Sequence, residues 1–288
     1  MDIQFVTEDN VTLKGQVVEA ENAKGAVIIN PGTATKTSFY LSFAQFLAAN
    51  GYHAVLWNYR GFCENRGGSL ARSDISYTDL GRWDIPAVIN KTKALYPQLP
   101  VYCVGHSAGG QHVGFAANCN ELSGMVGVAV STGYFGTMPL AYRLRAHLFF
   151  KAITPVSNAL FGYVRAKDLN LMEDLPPKLA REWARWCTNE DFFFAPKFAR
   201  KDPFLRTYRT LEFPVHVYTA SDDEISTEGN TKNFWKHIST KEPVKFTRYN
   251  AADMPRKSVG HFGYFRSANE PIWQDILASL NSFNERAA

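Results

Sequence analysis

The sequence predicts an α/β fold with a mostly parallel central sheet and helices on both faces. Three observations predict it. Short apolar runs recur along the chain ("AVIIN", "HAVLWNY", "VYCVG", "GMVGVAV", "VHVYTA"), as expected of strands buried on both faces. Stretches of helical period separate them, the alternation that builds a parallel sheet. A glycine-bracketed turn, "GHSAGG", follows the run "VYCV" directly.

The elements follow in order. "IQFVTEDNVTLKGQVVEA" alternates apolar and polar residues around Glu8-Asp9-Asn10, the pattern of a hairpin with one solvated face. A strand over 26–30 leads to the helix "SFYLSFAQFLAANG", which should end at Gly51. Then come a strand over 53–59, a helix around "DLGRWDIPAVINKTKALYP", the strand "VYCVG", a helix after Ser107 and a strand over 124–130. After an interruption the chain resumes with a strand over 215–220, a helix around "GNTKNFWKHI", a strand over 244–251 and the last helix, "IWQDILASLNSF".

The interruption, 134–210, has helical stretches rich in Phe, Trp and Arg and no alternating strands. Pro155, Pro176-Pro177, Pro196 and Pro203 are expected to break it into short pieces. Residues 1–133 and 211–288 therefore read as one core, with 134–210 as a helical lid over the carboxyl ends of the strands. The lid holds 13 Lys and Arg against 7 Asp and Glu, so the net charge of +4 belongs to this segment. With 288 residues, 45% of them hydrophobic, the chain can bury a large core.

Cys63, Cys103, Cys119 and Cys187 show no paired spacing, which favours a reducing compartment. The N-terminus has no basic start followed by an apolar core, and no run is long enough to span a bilayer. A cytoplasmic protein is expected. Aromatic-interleaved basic motifs are absent, so nucleic-acid binding is not expected. Neither HExxH nor paired-cysteine spacing is present, and no metal or other cofactor is expected.

Gly105-His106-Ser107-Ala108-Gly109 fits GxSxG. Between a strand and a helix, that pattern exposes a serine oxygen above the sheet on a sharp turn. The rival reading is a phosphate-binding glycine turn, but GxGxxG and GxxxxGK[ST] are both absent. A serine needs a base to take its proton and an acid to orient the base. "VHVYTASDDEIST" supplies Asp222 and Asp223 at a strand end, and "KSVGHFGYFR" supplies His261 after the next strand, in the chain order Ser, Asp, His.

Asp223 is preferred because Ile225 after the pair reads as the anchor of the turn; Asp222 stays as the alternative. His106 lies beside the serine and is expected to point away from it. For the oxyanion, the amide of Ala108 follows the nucleophile directly, and "NPGTATKTSFY" offers a second donor at Thr33.

With these residues in place, the sequence resembles the α/β-hydrolase superfamily over nearly its full length. Within it, "INPGTATKTSFY", "GYHAVLWNYRGF", "VGHSAGGQ", "EDLPPKLAREWARWC" and "VGHFGYFR" resemble a bacterial group of predicted hydrolases related to the serine aminopeptidase and monoacylglycerol lipase families. The resemblance implies the fold and the triad. Many relatives place a His-Gly pair in the oxyanion loop where this chain has Pro31-Gly32.

The substrate expected is a small acyl compound. "MPLAYRLRAHLFFKAI" and "EDFFFAPKF" offer apolar linings for an acyl pocket, and Arg143, Arg145, Lys151, Arg165 and Lys167 offer contacts to an anionic headgroup or a lipid surface. Ester hydrolysis ranks first. Peptide hydrolysis, with Glu173 or Asp174 of "LMEDLPP" receiving the substrate amine, ranks second. A silent binding protein using Trp183 and Trp186 is the third reading.

Overall fold

The computed structural model describes residues 1–287. The N-terminal pattern forms an antiparallel hairpin, β1 (Asp2–Val6) and β2 (Thr12–Val18), with Phe5 opposite Leu13. Alternate residues of β1 are buried. β3 (Gly25–Asn30), β4 (Tyr52–Trp57), β5 (Val101–His106), β6 (Gly124–Val128), β7 (Val215–Ala220) and β8 (Lys245–Tyr249) complete an eight-stranded sheet in the order β1-β2-β4-β3-β5-β6-β7-β8. From β4 to β8 all pairings are parallel, while β2 joins β4 antiparallel.

The apolar runs become the interior strands. Every residue of β3, β5, β6 and β7 is buried, because helices close both faces. One face packs on α1 (Leu41–Ala49) through Phe43 and Leu47, together with Trp273 and Leu280 of the C-terminal helix (Glu270–Ala287). The other face packs on α2 (Ile85–Leu95) and on Phe234 of the helix Glu228–Trp235. The expected helix after Ser107 is short: α3 (Ala108–Gln111) gives way to a 3-10 turn at Val113–Phe115.

Between β6 and β7 lie α4 (Leu140–Leu148), α5 (Thr154–Phe161), α6 (Pro177–Trp186) and α7 (Pro196–Ala199), followed after β7 by α8 (Glu228–Trp235) and α9 (Glu270–Ala287). Pro155 does not interrupt the helical path as expected. A π-helical segment, Phe149–Ile153, carries α4 directly into α5, and the proline falls in the first turn of α5. There its missing N–H costs little. The same arrangement precedes α2, where a π segment at Leu80–Asp84 comes just before Pro86. The insertion also contains one antiparallel bridge, Val164 with Leu175.

Strand order runs outward in opposite directions from β3, with β4 on one side and β5 on the other. The loops leaving β3 and β5 therefore diverge above the sheet, the place where open α/β sheets form crevices. Gly32 and Thr33 lie in the first of these loops and Ser107 in the second.

Candidate active site

The turn at Ser107 is strained in a specific way. Its φ is 51° and ψ −118°, a conformation that costs a non-glycine residue about 1–3 kcal/mol. A Cβ at Gly105 would stand 2.6 Å from Gly110 Cα, and one at Gly109 would stand 2.1 Å from the Asn30 oxygen. Both glycines are required by closeness of backbone. The Ser107 N–H donates to the Val128 oxygen at 2.9 Å, tying the turn to β6.

β7 ends in two carboxylates with different tasks. Asp223 is buried and accepts the Ile225 and Ser226 N–H groups at 2.9 and 2.8 Å through Oδ1, while His261 Nδ1–H donates to Oδ2 at 2.9 Å. Burial alone would raise this carboxyl, but the His261 charge and hydrogen bond and the two amides together hold it below its usual value. Asp222 instead accepts Ser258 Oγ–H and the Val259 and Gly260 N–H groups, each at 2.9 Å. It fastens the loop that carries His261. With Nδ1–H given to a carboxylate, the neutral His261 ring keeps its lone pair on Nε2.

His106 turns from Ser107 as expected, yet it is not a bystander. Its Nε2–H donates to the His261 main-chain oxygen at 2.9 Å, and its Nδ1 accepts Tyr40 O–H at 2.7 Å. Tyr40 Oη in turn accepts the Gly32 N–H at 2.9 Å. Burial lowers the His106 pKa to about 3, which keeps the ring neutral, as this donor-and-acceptor role demands.

Ser107, His261, Gly32 and Thr33 line one cavity of about 400 Å³. Phe135, Met138, Phe149, Phe150 and Trp183 make its walls largely apolar. No hydrogen bond joins Ser107 to His261, a pair that catalysis would bring within reach around the substrate. Among the described residues the N–H groups of Thr33 and Ala108 have no hydrogen-bond acceptor. The Thr33 hydroxyl is paired with Tyr77 Oη, and Tyr77 stacks on Trp186 at 5.3 Å.

Several sequence expectations divide here. The segment from Met138 to Ile153 lines the cavity, whereas Phe192 and Phe193 are fully buried in the core and do not reach it. Packing against Phe115 and Trp186 claims Phe193. Trp183 faces the cavity and Trp186 is a buried core residue. Glu173 lies 3.3 Å from Lys36 and 3.6 Å from Lys167; Asp174 accepts the Lys167 N–H at 3.1 Å and pairs with Arg66 at 3.4 Å. Both carboxylates already have partners. Tyr40, Tyr77, Thr35 and Tyr264 escaped the sequence reading, since only the fold brings them together; Tyr264, three residues after His261, directs Oη–H to Asp223 at 3.4 Å.

Among the described residues no helix is long and apolar enough to cross a membrane. By sequence, residues 21–181 match the serine aminopeptidase S33 family. No curated protein matches the chain by sequence. Among solved structures, a soluble variant of monoglyceride lipase from Saccharomyces cerevisiae in complex with a substrate analog superposes with a TM-score of 0.67 at 15% identity, covering 97% of this chain and 94% of that one. An esterase from Exiguobacterium antarcticum gives 0.63 at 13% identity, covering 98% and 100% of the two chains. Mouse alpha/beta hydrolase domain-containing protein 10 gives 0.59 at 12%, covering 100% of both. The family match spans more than half of the sequence, and nearly the whole chain superposes on these folds: the chain belongs to the serine aminopeptidase S33 family and has the α/β-hydrolase fold.

Proposed function

We propose that the protein is a serine hydrolase that cleaves a carboxylic ester through an acyl-serine intermediate. The observation that carries this reading is the His261–Asp223 pair at 2.9 Å beside a strained Ser107 in one apolar cavity. Ser107 Oγ attacks the acyl carbonyl as its proton passes to His261 Nε2, and Asp223 stabilises the imidazolium. The Ala108 and Thr33 amides receive the oxyanion. Collapse breaks the bond to the leaving group, which takes the proton from His261. Water then attacks the acyl-serine, giving its proton to His261, and Ser107 recovers a proton as the free acid departs.

The apolar lining supports an acyl chain, and a cavity of about 400 Å³ falls within the roughly 300–1,000 Å³ of small-molecule sites. Ester over peptide is supported by Glu173 and Asp174, since neither carboxylate is free for a substrate amine. Lipase and esterase structures among the neighbours agree with this order. Segment 134–210 acts as the lid over Ser107. It exposes Leu140 and Leu144, one turn apart on α4, at 61 and 60%, with Arg143 and Lys151 in the same segment, which supports peripheral contact with an anionic lipid surface.

A fluorophosphonate probe, followed by peptide mass spectrometry, tests the activated serine without assuming a substrate. Labelling at Ser107 that disappears in His261→Ala is the expected result. Folded protein that stays unlabelled would overturn the hydrolase reading in favour of a binding protein.

A further inference from the structure

Beside His261 the apolar cavity adjoins a second chamber of about 590 Å³. Thr35, Leu171, Met172 and Phe262 line both. The two differ in charge. Arg145 is the one Lys or Arg of the apolar cavity, and it faces Glu224 at 3.4 Å. The vestibule has three cations, Lys36, Lys167 and Arg266, against one carboxylate, Glu173.

Glu173 stands between the two lysines, with Oε1 3.3 Å from Lys36 Nζ and Oε2 3.6 Å from Lys167 Nζ. One carboxylate holds two ammonium groups together and neutralises one of them. Arg266 is exposed and has no carboxylate within the 4.0 Å of an ion pair among the described residues. Two positive charges are thus left over at one wall of the site. Further out, Arg66 is paired with Asp174 at 3.4 Å, while Glu64 accepts from Asn58 Nδ2 at 2.9 Å and, among the described residues, makes no ion pair with either lysine.

The chemistry assigns the two chambers to different halves of a substrate. In acyl transfer the leaving atom is protonated by the histidine, so the leaving group lies next to His261. Phe262, its neighbour in sequence, is part of the partition between the chambers. An acyl chain belongs against Phe149, Phe150 and Trp183 in the apolar cavity, and the leaving group then extends into the vestibule. Two uncompensated cations suit a dianion better than a single carboxylate.

We propose that the vestibule binds a phosphate-bearing leaving group, so that the substrate is an acyl ester or thioester of a phosphorylated alcohol or thiol. This rests on the hydrolase reading of the same site. The acyl C–O or C–S bond breaks, the alcohol or thiol takes the proton from His261, water supplies the hydroxyl of the acid, and the phosphate is unchanged.

The test uses two matched pairs in which the reacting bond is the same: decanoyl-coenzyme A against decanoyl-N-acetylcysteamine, and 1-decanoylglycerol 3-phosphate against 1-decanoylglycerol. The phosphorylated member should have a kcat/KM about five- to tenfold higher at low salt, the effect of one or two partly exposed ion pairs. Added salt should reduce that ratio. Lys167→Glu should lower the ratio, Lys167→Arg should preserve it, and Glu173→Gln should raise it, because the carboxylate competes with the phosphate for both lysines. Advantage in the thioester pair assigns a soluble carrier, and advantage in the glycerol pair a lipid headgroup; either supports the proposal.

Turnover of the neutral members with no advantage for the phosphorylated ones would overturn it while leaving the hydrolase reading intact. A ratio that does not move in opposite directions in Lys167→Glu and Glu173→Gln would overturn it as well. No turnover of any of the four, together with no fluorophosphonate labelling of Ser107, would overturn the hydrolase reading and this inference with it.

Discussion

His106 Nε2 lies 2.9 Å from the main-chain oxygen of His261. Through Tyr40 the same ring reaches the Gly32 amide. The residue before the candidate nucleophile thereby ties together the loop of the candidate base and the loop of the candidate oxyanion donor.

That link predicts a positioning role for His106. His106→Ala should lower kcat on the order of ten- to a hundredfold with a smaller change in KM, since small misplacements of reacting groups carry penalties of that size. His106→Gln, which keeps a donor and an acceptor, should recover part of the loss. Because His106 titrates near 3, the acid limb of the pH–rate profile should stay where it is in both variants. Steady-state kinetics across pH, with melting temperatures alongside, checks this.

The two neighbouring carboxylates should separate cleanly. Asp223→Asn removes the acceptor of His261 Nδ1–H and should lower kcat by about 10⁴-fold, the size seen when a triad loses its orienting acid. Asp222→Asn keeps one acceptor oxygen for the His261 loop and should lower kcat on the order of tenfold or less. Ester turnover by the two purified variants distinguishes them, and equal losses would assign both carboxylates to the same task.

Acid should weaken the fold through its buried histidines, with the raised Asp84 carboxyl offsetting part of the loss. Burial lowers His106 to about 3 and His112 to about 4, whereas the unfolded chain binds a proton at each near 6.5. Their folded values are depressed, so this stability is fully present above about pH 6.5 and falls as pH drops below it. The loss should approach about 3 kcal/mol per pH unit at most, from two histidines. Urea midpoints measured between about pH 8 and pH 5 provide the check.

Arg60 holds the hairpin to the body of the protein. Its guanidinium lies 2.6 Å from Asp84 and 2.6 Å from Asp9, and Asp84 is completely buried. Burial raises Asp84 to about 7 against the opposing pull of Arg60. Arg60→Met leaves that carboxyl without its cation and should destabilise the protein by about 3–5 kcal/mol. Arg60→Met with Asp84→Leu should recover much of the loss, as chemical denaturation of the single and double variants will show.

The exposed stripe of α4 should govern association with lipid. Leu144→Glu should weaken binding to anionic vesicles and leave the melting temperature within about 1 °C, because the side chain is 60% exposed. Co-sedimentation with and without added salt measures the effect. Binding unchanged by this substitution would remove the lipid contact from the reading.

Much of the fold was legible because its signals are local. The strand read at 215–220 is β7 to the residue, since a strand buried on both faces reads as a short, mostly apolar run bounded by turn residues. The serine turn was legible for a related reason: Gly105 and Gly109 allow backbone approaches that exclude any Cβ. Phe192 and Phe193 misled, because an apolar cluster looks the same whether it lines a cavity or fills a core. Pro155 misled as well, since a π segment that carries the helix past it leaves no mark in local propensity.

By itself, then, the sequence determined the succession of strands and helices, the glycine-bracketed serine, and the set of acids and histidines from which a triad could be chosen. Periodicity and backbone steric demand act over a few residues and are written in composition. Only the tertiary structure decided that Asp223 meets His261 while Asp222 fastens its loop, that His106 bonds the His261 backbone, and that Lys36 and Lys167 share Glu173. Those contacts join residues far apart in the chain, and their geometry depends on loop paths that packing of the whole sheet and its helices sets.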